Sequence, residues 1–390
     1  MNNKIKFKIL YIIIILIYIM SINIGIILVR GQKDVSTLEN RVLSKVPKFT
    51  FQKFLKGSYQ KQLEDSLVDQ ALLGQLMKQN IKSFESNIAD GIRRNLEEKF
   101  SFICERYKMV DNKTKVYMFG CNETLVDKPD LSNFREELQL GISLLNNLIS
   151  GISNVKFYFY YIDSSRGINF NDLNNDIYYY LNENINIKNQ GHFKINSFED
   201  YNIYFYKTDH HWNYAGSQKA YEELGNMLEY KPIMPVELVN SEIKFYGSYS
   251  RNAVSDKYDI FCYYKYNLPE HNIYLGNRKV DFSLNDEQIR NGDFLYDKYF
   301  NYYAQHYAAD HKEVIYDYKQ NNRENLLVIK NSYFNAIQNL VAAHFNRTYI
   351  VDLRHYNNFN LDKYIREKNI DKVLFIGDYL YLDSIAKGVK

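Results

Sequence analysis

The chain has few of the residues that break or staple structure: five prolines, 17 glycines and three cysteines in 390 positions. So few turn-formers leave no evident linker after residue 100, and residues 101–390 read as one domain. Cys104, Cys121 and Cys262 are an odd set with no CxxC and no metal-ligand spacing, which excludes a dense disulfide framework. The spacing leaves open whether Cys104 and Cys121 bridge. Charge is nearly balanced, at +3 net, with no uninterrupted basic block to grip a phosphate backbone, so nucleic acid is not an expected partner. Ile, Asn, Lys and Tyr are abundant, the bias of an AT-rich genome, so the 37 tyrosines carry no argument by their number.

What is present begins with Ile9–Val29, "ILYIIIILIYIMSINIGIILV", 21 positions without a charge. At about 1.5 Å per residue this run crosses a hydrocarbon core of about 30 Å. It is longer than the apolar part of a cleaved signal peptide, about 7–15 residues, and it exits through "ILVRGQK" without a small-residue cleavage site. Lys4, Lys6 and Lys8 precede it with no acidic residue, which places residues 1–8 in the cytoplasm; Arg30 and Lys33 weaken that bias. The expectation is an uncleaved anchor at 9–29, with everything after it outside the cytoplasmic membrane. Residues 30–100 then read as a juxtamembrane helical segment, with Leu67, Ala71, Leu72, Leu76 and Ile81 on one helical stripe.

Beyond residue 100 the pattern changes. "KVYMFG" (115–120) and "VKFYFYYID" (155–163) read as buried strands flanking a helix near Leu138–Ile152. Later, "NLLVIK", "TYIVDL" and "DKVLFIG" are strands separated by the helical stretches "FNAIQNLVAAHF" and "LDKYIREKN". Strands alternating with helices of about ten residues imply parallel βαβ units, hence an α/β domain with a central, mostly parallel sheet flanked by helices.

Two stretches at strand–helix junctions offer reactive groups. In "VIKNSYFNAI", Ser332 lies two residues past a strand and just before a helix, where its hydroxyl would project from the carboxyl edge of the sheet. The elbow lacks the glycines of G-x-S-x-G, and Ser332 reads equally as a cap for a helix starting at Phe334. In "YKTDHHWNYAG", Asn213 caps a helix from Tyr214 to about Leu228, so Asp209, His210 and His211 occupy the loop entering it. Asp-x-His lets a carboxylate fix the imidazole tautomer, leaving the other ring nitrogen to take a proton from a serine. A metal site and a purely structural His–Asp contact are the rival readings. The remaining histidines fall in no ligand-spaced motif, so no metal and no cofactor is expected. Two further stretches imitate catalytic ones: "IGDYL" (376–380) has Tyr379 where a serine would stand, and "YGSYSRN" places Ser248 and Ser250 in a glycine-containing turn. Tyr249, Tyr333 and Tyr356 are candidates for a sugar-stacking platform, against the plainer reading as core or surface filler.

"TDHHWN", then "IKNSY" about 120 residues later, then "YIVDLRHY", together with the upstream "LENRVLSKVPKFTFQKFLKGSYQKQLEDSLVDQ", resemble the DHHW proteins. These are relatives of the alginate O-acetylation proteins, whose catalytic domain is SGNH-hydrolase-like. The resemblance covers nearly everything after the anchor. It implies Asp209 as orienting acid, His211 as general base, Ser332 as nucleophile and Trp212 packed beneath the histidine loop. Asn331 stands where several relatives have aspartate. The oxyanion donors cannot be placed by motif; the Asn331 side chain and the backbone N–H groups of Ser332 and Tyr333 are the candidates, with His210 in support. The implied activity is O-acetyl transfer to an exopolysaccharide or wall polymer, the acyl group arriving through a polytopic membrane-bound O-acyltransferase partner. A carbohydrate acetyl esterase and a non-catalytic polysaccharide-binding scaffold are the alternatives.

Overall fold

The computed structural model describes residues 35–36, 41–55, 58–70, 107–120, 123–174, 176–281, 298–356, 358–382 and 385. The expected span at 9–29, residues 71–99 of the juxtamembrane stretch, Cys104 and Cys121 lie outside them. No helix among the described residues is long and apolar enough to cross a membrane. The described residues fall into two compact units, one holding 35–70 and Val254–Asp256, the other the rest.

In the first unit β1 (Val35–Ser36) pairs antiparallel with β2 (Arg41–Val42), followed by α1 (Phe51–Leu55) and α2 (Ser58–Gln70). The buried Asp69 carboxylate accepts the Ser44 N–H at 2.8 Å, tying the strand exit to α2.

The second unit opens with β3 (Lys108–Asp111), β4 (Val116–Phe119) and β5 (Thr124–Asp127). "KVYMFG" is therefore a buried strand, but it sits in a separate antiparallel sheet of these three. Then come α3 (Phe134–Ile149), β6 (Lys156–Ile162), α4 (Asp176–Asn184), β7 (Asn189–Phe193), α5 (Phe198–Tyr204) and α6 (Tyr214–Leu228). The hairpin of β8 (Glu237–Phe245) and β9 (Asp259–Lys265) encloses α7 (Ser248–Ala253). The chain continues through β10 (Asn272–Leu275), β11 (Arg278–Val280), α8 (Tyr302–His306), β12 (Glu313–Asp317), β13 (Leu326–Lys330) and α9 (Gln338–Ala342). It ends with β14 (Arg347–Val351), α10 (Leu361–Lys368) and β15 (Lys372–Gly377).

Eight strands form the main sheet in the order β11-β10-β12-β14-β13-β15-β6-β7. From β14 to β7 every pairing is parallel, while β12, β10 and β11 extend the sheet antiparallel. The expected mostly parallel α/β architecture is present. Side chains alternate across the sheet, so β13 sends Leu326 and Val328 into one core and Leu327 and Ile329 into the other. Tyr221 and Leu224 of α6 cover the first face, and Leu138 and Leu145 of α3 with Ile365 of α10 cover the second. Covered on both faces, β13 and β15 are buried throughout, which is why they read as continuous apolar runs. Three neighbouring parallel strands, β13, β15 and β6, discharge their loops at the same edge. Those loops carry Asn331–Ser332, Asp378 and Asp163–Arg166.

Candidate active site

β13 ends at Lys330, and Asn331 caps a 3-10 turn over Ser332–Ala336, its side-chain oxygen accepting the Tyr333 N–H at 3.3 Å. The helix expected from Phe334 is split into this turn and α9, although Ile337, Leu340 and Val341 are buried as its periodicity required. Because Asn331 does the capping, the half-buried Ser332 hydroxyl faces another partner. It lies 2.7 Å from His211 Nε2.

His211 comes from the loop between α5 and α6. That loop is anchored by the Asn213 cap on Ala215 and Gly216 and by Trp212, which is fully buried against Phe193 and Tyr333. Asp209 Oδ1 accepts from His211 Nδ1 at 2.5 Å and from the His211 N–H at 2.9 Å, and Oδ2 accepts the Ser248 N–H at 2.5 Å. Burial works against a charge on Asp209. The neighbouring His211 and His210 and the hydrogen bond from His211 outweigh it and hold the carboxyl well below the usual range. An ionised carboxylate can only accept, so His211 Nδ1 carries the hydrogen and Nε2 presents its lone pair to the Ser332 hydroxyl.

The other residues singled out in the sequence fall around this chain of hydrogen bonds. His210 contacts Ser248 Oγ through Nδ1 at 2.7 Å; burial, then the Arg166 guanidinium, push it well below the usual imidazole range, so it stays neutral. Ser248 is thus a partner of the histidine loop, and Ser250 is buried, donating to the Lys257 carbonyl at 2.7 Å. Tyr249 and Tyr333 are buried and form no stacking platform; the Tyr333 hydroxyl donates to the His210 carbonyl. Tyr356 is half-buried beneath Lys312.

Of the three candidate oxyanion donors, the Tyr333 N–H is engaged by Asn331, and Asn331 Nδ2 donates to Asp378 Oδ1 at 2.9 Å. Nδ2 has a second hydrogen, and the Ser332 N–H begins the 3-10 turn, where no intrahelical acceptor exists for it.

Asp209, His210 and His211 also place ligand atoms within 4.8 Å of one another, near enough to hold an ion. Here those atoms are committed to each other, to Ser332 and to Ser248.

Tyr303 and Arg166 carried no sequence signal, and Asp378 only that of a strand end. Tyr303 stacks on the His211 ring at 3.9 Å and 11°, and its hydroxyl donates to the Ser332 carbonyl at 3.2 Å. Asp378, from the "IGDYL" stretch, does end a strand, and its carboxylate also takes Ser164 Oγ and Asn331 Nδ2, each at 2.9 Å. Arg166 Nε pairs with Asp127 at 3.2 Å, with Nη1 4.0 Å from Asp378. Burial disfavours its charge, but Tyr249, Asp378 and Asp127 overcome that and raise its pKa. Already balanced by two carboxylates, Arg166 is linked to Asn331 through Asp378.

No protein-family profile matches this chain, and no curated protein does. Among solved structures, the O-acetyltransferase domain of Pseudomonas putida AlgJ aligns at 11% identity and a TM-score of 0.39, over 71% of this chain and 92% of that one. Bacillus cereus PatB1, solved with a sulfonyl adduct, aligns at 22% identity and a TM-score of 0.52, over 69% of this chain and 97% of that one. A DHHW family protein from Eubacterium siraeum aligns at 17% identity and a TM-score of 0.53, over 71% and 96%. Over 69–71% of its length the chain therefore has a fold shared by PatB1 and a DHHW family protein, in line with the resemblance carried by "TDHHWN" and "IKNSY".

Proposed function

We propose that the chain is a membrane-anchored, extracytoplasmic O-acetyltransferase acting on an exopolysaccharide or cell-wall polymer. The observation that supports this best is the continuous path Asp209–His211–Ser332, with hydrogen bonds of 2.5 and 2.7 Å. A non-catalytic scaffold has no need of a serine within hydrogen-bond reach of the imidazole, and this geometry does not favour it.

In the proposed reaction Ser332 Oγ attacks the carbonyl carbon of an acetyl donor while His211 Nε2 takes the hydroxyl proton. Asp209 accepts from Nδ1–H throughout and offsets the imidazolium charge. The tetrahedral oxyanion is met by the Ser332 N–H and the second hydrogen of Asn331 Nδ2. Collapse expels the donor's leaving group, which takes the proton from Nε2, and leaves acetyl-Ser332. A sugar hydroxyl then gives its proton to Nε2 and attacks the acetyl carbon, and Ser332 leaves with that proton. Water in place of the sugar would give hydrolysis, so the transferase and esterase readings share one acyl-enzyme. The acyl supply, a polytopic membrane-bound O-acyltransferase, belongs to the same proposal.

The test compares acetyl transfer to a defined oligosaccharide with hydrolysis in plain buffer, for the unmodified chain, Ser332→Ala and His211→Ala. Transfer exceeding hydrolysis, with both lost in each variant, is the expected result. Unchanged rates in Ser332→Ala would sink the assignment.

A further inference from the structure

Away from the catalytic loops, residues 41–63 hold six basic side chains (Arg41, Lys45, Lys48, Lys53, Lys56, Lys61) and no acidic one, in a chain whose charges otherwise nearly balance. The same stretch exposes three phenylalanines: Phe49 at 61%, Phe51 at 67% and Phe54 at 44%. Large apolar side chains grouped in water mark a contact surface more often than chance exposure does. Phe49 packs on Phe54 at 6.0 Å and edge-on against Tyr59 at 5.1 Å, so these three rings form one patch, and the exposed Phe51 precedes Phe54 by three positions on α1. α1 and α2 are joined by Ser58 Oγ donating to the Lys53 carbonyl at 3.2 Å and Gln60 Nε2 to the Phe54 carbonyl at 3.1 Å. Lys48, Lys53 and Lys61 are exposed beside the rings.

We propose that Lys48–Lys61 is an interfacial segment that rests on an anionic lipid surface, its phenylalanines entering the headgroup–acyl boundary and its lysines pairing with lipid phosphates. Exposed aromatic rings interspersed with cations fit the chemistry of that boundary, apolar below and negatively charged above, with the nearest exposed acids among the described residues, Glu64 and Asp65, lying beyond Lys61 on α2. An acidic protein face would satisfy the lysines but leave the phenylalanines in water, and a purely apolar groove would strand the lysines. Position favours the same occupant, because 18 residues separate Val29, the end of the uncharged run, from Lys48. A tether that short keeps the segment at high local concentration beside any bilayer the run enters. The inference does not depend on the chemistry at Ser332.

The test uses the full chain in vesicles carrying brominated acyl chains, with Phe51→Trp as reporter. The native Trp212 is fully buried, so the unmodified chain sets the background and also reports folding of the second unit. In phosphatidylglycerol-rich vesicles the new tryptophan should emit to the blue of a solvent-exposed indole and be quenched by the bromines. In phosphatidylcholine alone, or at high salt, quenching should fall. Each surface lysine strengthens such adsorption about five-fold, so Lys48→Gln with Lys53→Gln should lower the seated-to-unseated ratio about 25-fold without changing chromogenic-ester turnover. Solvent-like emission in anionic vesicles, or equal quenching in neutral ones, would overturn the proposal.

Discussion

Replacing Tyr303 separates two ways in which the site could hold its imidazole. The ring lies flat against His211 at 3.9 Å, and the hydroxyl, kept protonated because burial pushes the phenol well above its usual range, donates to the Ser332 carbonyl at 3.2 Å. Tyr303→Phe keeps the stack and removes one neutral hydrogen bond, worth about 0.5–1.5 kcal/mol, so kcat should fall by no more than about ten-fold. Tyr303→Leu removes the π-face. An aromatic pair is worth about 0.5–1.5 kcal/mol beyond its burial. The imidazolium formed as Ser332 gives up its proton adds about 2 kcal/mol of cation–π attraction in so dry a setting. Together these predict a loss of about 30-fold or more in kcat for Leu, clearly beyond that for Phe. The assay is hydrolysis of a chromogenic acetyl ester, with Trp212 emission confirming that each variant is folded. Leu turning over like the unmodified chain would refute the stacking argument, and Phe as damaged as Leu would assign the effect to the hydroxyl.

Other expectations follow from the same geometry. Asp209→Asn no longer fixes the His211 tautomer, so kcat should drop by about three to four powers of ten, and because both carboxylate oxygens accept N–H bonds where an amide offers only one acceptor, the melting temperature should fall as well. Gly247→Ala would place a Cβ 2.4 Å from both Asp209 Cβ and the Thr208 carbonyl oxygen. Overpacking of this kind costs about 1–3 kcal/mol, and calorimetry should show a fall in melting temperature accompanied by lost activity, because the displaced backbone carries Asp209. His344 is pushed down to about 4, chiefly by burial and then by Arg323. The unfolded chain binds this proton first, so stability should be level above about pH 6.5 and decline as pH falls toward 4. Urea midpoints across that window should decline less in His344→Gln; an identical decline would remove His344 as a cause.

How far the structure could be read from the sequence depended on whether a signal was local. β13 and β15 stood out because strands covered on both faces are nearly all apolar, β14 by its Tyr-Ile-Val end, and α6 because the Asn213 cap precedes a clean inward stripe of Ala220, Tyr221, Leu224 and Leu228. β10 was illegible for the converse reason: all four of its residues are half-buried, and its place is set by pairing with β12, some 40 residues away. The 3-10 turn at Ser332 was missed because Asn331 takes the cap, and propensity alone does not distinguish which of two adjacent polar residues will do so. The pairing of "TDHHWN" with "IKNSY" was legible as a motif, and the fold sets His211 and Ser332 in contact across 121 positions. Tyr303 reaches the site from the short helix α8 and Arg166 from a loop, neither with a spacing pattern, so only the fold reveals them. Asp378 had a local signal, a Gly-Asp pair closing a strand, but its partners Ser164 and Asn331 lie 214 and 47 positions away.

The most direct test of Ser332 as nucleophile is covalent labelling. PatB1, whose fold this chain shares, has been solved with a sulfonyl adduct, which suggests the reagent. The full chain is incubated with an aryl sulfonyl fluoride, followed by intact mass and peptide mapping. One sulfonyl group on Ser332, absent from Ser332→Ala and nearly absent from His211→Ala, is the predicted result. An unlabelled Ser332 in folded protein, or label on Ser248 instead, would contradict it.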